Sequence, residues 1–418
     1  MTELDFASLV VVALAAFAVP LLLAVLPGPK IPSVVGEVVA GVALGASGLG
    51  LIDPHAGHLE FLFLFGLAFL LFLAGLEFDP SLLRGTLSHG VRHAVGSPFG
   101  RALLGMAIRL AVAFAITVPL WLAGLLPGPV LVAFLLSSTS LGIVLSVLTE
   151  HELLRERYGQ RLFLSAAVAD FATVLLLTIF FSADARSPGV RVALIALLIA
   201  LGLALFWGLR AASSRGRLAA LVERLSGAPA ELRIRASFAL LLAFVALAAE
   251  FGLEVILGAF VAGAIVSALS VGRAHPVYQV KVDAIGYGFF VPVFFILTGA
   301  RLDVPALLDA GETLALVPVL LVAVFLVKGV PALLYRDEFA WRDCAAAGAL
   351  QAAQMTLTVA GVEIGQRLGL IDEALGAALI CVALLSVLIA PIAFAALHGD
   401  TSLQARAKPE RASSTRSA

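Results

Sequence analysis

A single acidic residue interrupts one of the longest apolar runs of this 418-residue sequence. Between Arg161 and Asp184 lie 22 residues, and Asp170 is the only one among them whose side chain carries a charge. Placing an acid at the centre of a membrane helix costs about 2.5 to 3.5 kcal/mol on insertion scales, so such an acid usually pairs with a base or lines an ion pathway. Asp170 is therefore the first candidate for ion-binding chemistry.

Two basic residues also fall inside apolar segments. Lys328, in the stretch FLVKGV, lies eight residues before Arg336, which is too deep for its side chain to reach the interface fully. Arg109, in GMAIRLAVAF, is nearer to a segment end, and we expect it to extend to the membrane surface. Lys328 is therefore the predicted charge partner of Asp170. The alternatives are that Lys328 snorkels, or that Asp170 only neutralises a buried base.

Hydroxyl and amide side chains cluster in two further apolar segments. They are Ser137, Ser138, Thr139 and Ser140 in LLSSTSLGIV, and Gln351, Gln354, Thr356 and Thr358 in LQAAQMTLTVAG. Hydroxyl groups can satisfy the backbone groups that a break in a membrane helix leaves free. We predict that both segments are discontinuous helices. The alternative is that these side chains bond only within their own helix or to a neighbour.

The composition indicates that these residues lie in a lipid bilayer. Hydrophobic residues make up 61% of the chain and charged residues 13%, with a mean hydropathy of +1.08, whereas soluble domains carry about 25% charged residues. The sequence predicts an all-α polytopic membrane protein with 13 transmembrane helices. Their predicted spans are 5–27, 33–52, 59–77, 101–125, 128–148, 161–183, 190–209, 233–252, 253–271, 283–300, 312–335, 342–366 and 373–398.

The basic residues predict the orientation of the chain in the membrane. If the segments cross the bilayer in turn, 21 of the 27 lysines and arginines fall on one side, four on the other and two inside segments. Because cytoplasmic loops are enriched in these residues, we expect an outside N-terminus and a cytoplasmic C-terminus with a polar tail at 399–418. The predicted location is the inner membrane, with no nucleic-acid partner.

The sequence also contains an internal repeat. LFLAGLEFDPSLL at 71–83 is similar to FILTGARLDVPALL at 295–308, and GEVVAGVALG from Gly36 is similar to LEVILGAFVAG from Leu253. The offsets of 224 and 217 residues predict two six-helix units joined by one linker helix. Because six helices and a linker make an odd number, the second unit starts on the opposite side of the membrane, as in many secondary transporters.

The predicted domain organisation follows from this repeat. A transmembrane domain, 1–398, contains repeat one at 5–183, the linker helix at 190–209 and repeat two at 233–398. The offset of 217 also carries Ser137 onto Gln354. In inverted repeats the binding site lies near the midplane, where discontinuous helices of the two units meet, so we expect the two polar stretches to cross there.

In their order and spacing, these motifs resemble those of the monovalent cation:proton antiporter-2 family, the Kef-type branch of the sodium/proton exchangers. The resemblance covers roughly 8–396 and is carried by GEVVAGVALGASGLGLI, LFLAGLEFDPSLL, LSSTSLGIVLSVLTE, AVADF, FFVPVFFILTGARLDV and FLVKGV. It implies exchange of Na⁺ or K⁺ for protons, elevator-type alternating access and a homodimer. It also implies that Asp170 carries the ion, that Ser138 and Thr139 lie beside it in an unwound stretch, and that Lys328 pairs nearby.

The sequence departs from the family pattern in two places. Ala169 stands where relatives commonly have Asp, Asn or Gln, so a second carboxylate is absent beside Asp170. QMTLT, around Thr356, replaces an acidic motif, so the helix ends there need another source of charge compensation. No Gly-rich phosphate loop is present, and Cys344 and Cys381 have no metal or redox spacing, so we expect no cofactor and no enzyme activity.

Two other functions stay open at this point. A symporter of organic anions with the same fold would need polar groups for a larger substrate, whereas the crossing offers mainly small hydroxyls. A non-transporting membrane sensor or subunit is the second alternative, and it predicts that Asp170→Asn leaves function intact.

Overall fold

Helices form all the regular structure in the part of the chain that is described. The computed structural model describes residues 6–25, 32–77, 97–181, 187–212, 230–270 and 276–406. These ranges contain 17 α-helices, one π-helical turn and one short 3₁₀ turn. The ends of several predicted segments, the second half of LFLAGLEFDPSLL and the last 12 residues of the predicted tail lie outside the described residues.

The helices follow the apolar segments of the sequence. Their bounds are α1 Phe6–Val25, α2 Ser33–Leu44, α3 Gly57–Glu77, α4 Pro98–Leu122, α5 Pro129–Ser137, α6 Leu141–Glu150, α7 Arg157–Phe181, α8 Pro188–Ala212, α9 Ala230–Glu250, α10 Val255–Ser270, α11 Pro276–Ile285, α12 Val291–Ala300, α13 Val304–Asp309, α14 Gly311–Ala332, α15 Trp341–Gln351, α16 Thr356–Arg367 and α17 Glu373–Arg406. A π-helical turn at Gly286–Phe290 joins α11 to α12, and a 3₁₀ turn at Leu333–Tyr335 follows α14.

Ten helical stretches in the described ranges are long and apolar enough to cross a bilayer, counting α5 with α6 and α11 with α12 as one stretch each. The multi-pass membrane architecture is therefore confirmed. Every predicted segment overlaps at least one helix, but α2 and α10 are shorter than a full span, and the broken pair α15–α16 is not among the ten. The count of 13 spans stays a prediction.

The helices pack as two groups. The first helix group contains α1–α3 and α8–α12, and the second contains α4–α7 and α13–α17. Glycines bring the backbones of the first group close together, since a methyl group at Gly75 would overlap the carbonyl of Phe260 and one at Gly299 would overlap that of Val38. These contacts join α3 to α10 and α12 to α2, respectively.

Two boundaries differ from those predicted. Helix α17 continues to Arg406, eight residues beyond the predicted start of the tail, because hydropathy marks the end of the apolar segment and not the end of the helix. Helix α13 was not predicted, since six residues are too few for a periodic pattern. The carboxylate of Asp303 caps it by accepting a 2.8 Å hydrogen bond from the N–H of Ala306.

Candidate ion-binding site

The first helix break lies between α5 and α6, at the cluster of hydroxyl residues. The hydroxyl of Ser137 donates to the carbonyl of Ala133 and that of Ser138 to the carbonyl of Leu135, both at 2.8 Å. The protons of these two hydroxyls are therefore used within α5, as in the alternative interpretation of the cluster. Their oxygens keep lone pairs that can accept another hydrogen bond or contact a cation.

The second break, between α15 and α16, contacts the first directly. The N–H of Ser140 donates to the carbonyl of Ala353 at 2.8 Å, and the hydroxyl of Thr139 donates to the carbonyl of Gln351 at 2.7 Å. These bonds satisfy backbone groups that the two breaks leave free. Thr356 is the first residue of α16 and is half-buried.

Asp170 lies on α7 beside the N-terminus of α6. Its side chain is 6% exposed, and Oδ2 accepts a 3.2 Å hydrogen bond from the N–H of Leu141, the first residue of α6. The backbone of Thr139 also interacts with this carboxylate. A negative charge is favoured at this end of a helix dipole. Oδ1 accepts no hydrogen bond from any described residue, so one carboxylate oxygen is available to a proton or a cation.

Lys328 is fully buried but does not pair with Asp170. Its ammonium group donates to the carbonyl of Leu136 and, at 2.6 Å, to Oε1 of Gln354. Among the described residues no ion pair within 4.0 Å includes Asp170, so the predicted ion pair is wrong for this structure. Hydropathy gave the depth of Lys328 correctly, but it could not show that the free carbonyl at the end of α5 would bind the ammonium group.

Arg109 corrects a second expectation, because it does not extend to the membrane surface. Its side chain is 1% exposed, and it donates to Ser165 at 3.1 Å and to Oε1 of Gln351. Helix α4 begins at Pro98, which makes Arg109 the twelfth residue of a 25-residue helix. The predicted segment began three residues later, so Arg109 seemed nearer to an end than it is.

The three buried charges compensate three helix ends at the crossing. Asp170 binds the N-terminus of α6, Lys328 binds the C-terminus of α5, and Arg109 binds the side chain of Gln351 at the C-terminus of α15. Helix C-termini favour cations and N-termini favour anions. The compensation that the QMTLT stretch lacks at the end of α15 is therefore supplied by Arg109.

Sequence reasoning missed the second layer of this network. Ser386 on α17 accepts a 3.2 Å hydrogen bond from the N–H of Gln354, and Ser165 bonds Arg109. The only signal for Ser165 was its position five residues before Asp170, and an isolated serine such as Ser386 gave none.

The fold and the buried charges define a membrane ion transporter, and comparison with known proteins identifies its family. Residues 11–398 match the model of the family described as "Sodium/hydrogen exchanger, transmembrane". This match covers most of the chain, and the protein belongs to that family. The prediction that it is not an enzyme is confirmed, because its relatives are antiporters.

Two bacterial relatives illustrate the extent of the similarity. A Bacillus subtilis (strain 168) protein named "Putative Na(+)/H(+) antiporter YjbQ" is 33% identical over 401 residues, which cover 95% of this chain and 64% of that protein. The "Na(+)/H(+) antiporter" of Enterococcus hirae is 30% identical over 372 residues, with 87% and 90% covered. This chain therefore spans less than two thirds of the first relative and most of the second.

A solved structure has the same overall fold. The sodium proton antiporter MjNhaP1 from Methanocaldococcus jannaschii at pH 8 superposes with a TM-score of 0.59 and 16% identity, over 96% of this chain and 97% of that one. At this identity the likeness concerns the fold alone.

Proposed function

We propose that this protein exchanges a monovalent cation, Na⁺ or K⁺, for protons across the membrane, and that Asp170 binds both in turn. The observation that carries the proposal is the carboxylate of Asp170, with one oxygen bound to the N-terminus of α6 and the other free of protein donors in the described part of the chain. A proton and a cation cannot both occupy one carboxylate, so binding of one releases the other. This competition couples the two fluxes without a separate relay.

Ser138 and Thr139 contribute to the proposed site through their position in the break. Both hydroxyl protons are donated to carbonyls, which leaves the oxygens as candidate ligands beside Asp170. Ser137, Ser140, Gln354 and Thr356 shape the two breaks, and Lys328 holds the end of α5. The relatives named as Na⁺/H⁺ antiporters support sodium, and potassium is the second candidate ion.

Alternating access of the elevator type is part of the proposal. Asp170 belongs to the second helix group, which packs against the first group along few contacts compared with those inside each group. Movement of the second group past the first would carry the carboxylate from one side of the membrane to the other.

An inverted repeat is consistent with the close helix pairs of the first group. Gly75 on α3 packs against α10, and its counterpart at the offset of 224, Gly299 on α12, packs against α2. The glycine contact of the first repeat therefore recurs in the second with partners exchanged. Thirteen spans, an outside N-terminus, a cytoplasmic C-terminus, the Kef-type branch, the inner membrane and a homodimer complete the proposed description, on the sequence arguments given above.

Reconstitution tests the proposal. Purified protein in liposomes containing a pH-sensitive dye would receive pulses of Na⁺, K⁺ or Li⁺ between pH 6 and 9. We expect proton flux with at least one ion in the wild-type protein and background flux in Asp170→Asn. Asp309→Asn, an exposed acid at the end of α13, is the matched control and should retain wild-type flux.

Each alternative outcome has a distinct meaning. Wild-type liposomes without cation-dependent proton flux at any pH would overturn the antiporter proposal. Equal flux in the wild type and Asp170→Asn would overturn the role of Asp170. Organic-anion symport is disfavoured, because the hydroxyl protons of Ser137, Ser138 and Thr139 already bind carbonyls and are not available to a larger anion.

A further inference from the structure

We propose that Glu77 is a second carboxylate of the cation site, contributed by the first helix group at the cytoplasmic mouth. This inference rests on the proposed exchange function and adds a residue to it. In the sequence, Ala169 left Asp170 without a neighbouring acid. Glu77 supplies one from the last position of α3, on a different helix and in the other helix group.

The geometry places Glu77 against the first turn of α6. A methyl group built on Gly142 would lie 3.9 Å from Oε1 of Glu77 and 3.7 Å from the hydroxyl of Tyr287. Gly142 directly follows Leu141, whose N–H binds Asp170. Glu77 and Asp170 therefore approach the same helix N-terminus from opposite helix groups, and the small size of Gly142 leaves room between them.

The carboxylate of Glu77 is not committed to a structural contact. Its Oε2 atom is fully buried and accepts no hydrogen bond from a described residue. Its charge interacts with those of Asp170 on α7 and Asp283 on α11, which are the charged groups nearest to it in the described structure. An acid held near two other acids, without a base or donor, has the surroundings that a cation would improve.

The charges at the helix crossing favour the same conclusion. Lys328 and Arg109 are two buried bases, and Asp170 is the one acid among the buried charges of the crossing. A second carboxylate nearby reduces the excess positive charge that an approaching cation meets. Because Glu77 and Asp170 belong to different helix groups, we expect this help only in the state in which α3 lies against α6.

The position of Glu77 also gives the second carboxylate a side of the membrane. The chain after α3 contains Arg84 and Arg92, and the chain after α6 contains Arg155 and Arg157, all among the basic residues of the predicted cytoplasmic side. Glu77 therefore lies on the cytoplasmic path to Asp170, with Asp283 next to it.

Sided transport measurements test this role. The apparent KM and maximal rate for the cation would be measured from each face, in vesicles of both orientations, for wild type, Glu77→Gln, Glu77→Asp and Tyr287→Phe. We expect Glu77→Gln to raise the cytoplasmic KM about tenfold with a maximal rate near that of the wild type. The KM from the outside should change little, Glu77→Asp should restore most of the affinity, and Tyr287→Phe should shift the same KM less.

The controls separate this inference from the proposed function. Glu60→Gln, an exposed acid at the other end of α3, should leave both KM values unchanged. An unchanged cytoplasmic KM in Glu77→Gln, with normal wild-type flux, would overturn the role of Glu77 alone, as would equal changes from both faces. Absence of wild-type flux would overturn both proposals. If Glu77→Gln does not fold, Glu77→Asp and Tyr287→Phe decide, and wild-type kinetics in both would contradict the inference.

Discussion

Asp170 and Lys328 bind opposite sides of one helix break. The carboxylate of Asp170 accepts a hydrogen bond from the N–H of Leu141, where α6 begins, and the ammonium group of Lys328 donates to the carbonyl of Leu136, where α5 ends. The two charges are thus stabilised by backbone dipoles of opposite sign and do not need each other. The carboxylate keeps an oxygen free for its ion, while Lys328 maintains the unwound segment beside it.

Replacement of Lys328 is therefore expected to act first on stability. In Lys328→Met the carbonyl of Leu136 and the amide of Gln354 lose a charged donor in a buried site, and each such hydrogen bond is worth about 1.5–3 kcal/mol. The midpoint of thermal unfolding in detergent should fall by several degrees. Lys281→Met removes an exposed ion pair with Glu231, 42% and 60% exposed, which is worth about 0–1 kcal/mol. Equal midpoints for the two variants would contradict the role given to Lys328.

Arg109 should not tolerate a lysine. Its guanidinium group donates to both Ser165 and Gln351, and the planar fork that makes two divergent bonds is absent from an ammonium group. We expect Arg109→Lys to lower the thermal midpoint nearly as much as Arg109→Gln, and to reduce the flux of reconstituted protein. Arg101→Lys, at the partly exposed ion pairs with Asp337 and Glu338, is the comparison. A smaller effect for Arg109→Lys than for Arg101→Lys would exclude the proposed double contact.

The sequence was sufficient for the helices and insufficient for their internal contacts. Apolar runs predicted the helical segments, because a bilayer requires continuous hydrophobic spans. Hydropathy could not give the end of α17 at Arg406, since polar residues such as Gln404 continue a helix that is already formed. It also could not decide how much of α2 or α10 crosses the membrane.

The site was partly predictable for a related reason. Asp170, Lys328 and the two polar stretches stand out because polar groups in an apolar segment are costly. The direction of a side chain depends on neighbouring helices that are distant in sequence, as Leu136 and Lys328 are separated by 192 residues. This is why the burial of Lys328 was expected and its bonding partner was not.

Close helix packing in the first helix group should depend on Gly263. A methyl group there would overlap the carbonyl oxygen of Phe72, and α3 would have to move away from α10. We expect Gly263→Ala to lower the thermal midpoint markedly and to reduce flux. Gly208→Ala, on α8 with no atom within 4 Å of the added methyl group, should have little effect or raise the midpoint slightly. A harmless Gly263→Ala would show that the two helices separate easily.

Two ion pairs join the helix groups on the face opposite Glu77. Glu254, just before α10, accepts two 2.8 Å hydrogen bonds from Arg367 at the end of α16, and Arg301, after α12, lies 3.5 Å from Glu363 on α16. Each pair connects the first group to the second. They hold the outer face closed while Asp170 is near the cytoplasmic mouth.

Neutralising this outer pair of contacts should open the outer face. Each partly exposed ion pair is worth about 0–1 kcal/mol, and a change of 1.4 kcal/mol alters a conformational equilibrium tenfold. In a background with both cysteines replaced by alanine, Thr298→Cys places a thiol on the cleft beside Arg301 and Glu363. Adding Glu254→Gln and Glu363→Gln should raise several-fold the rate at which a membrane-impermeant maleimide labels this thiol from outside. Glu231→Gln breaks an ion pair within the first group and should leave labelling unchanged, whereas equal labelling in all three proteins would show that the ion pairs do not hold the face closed.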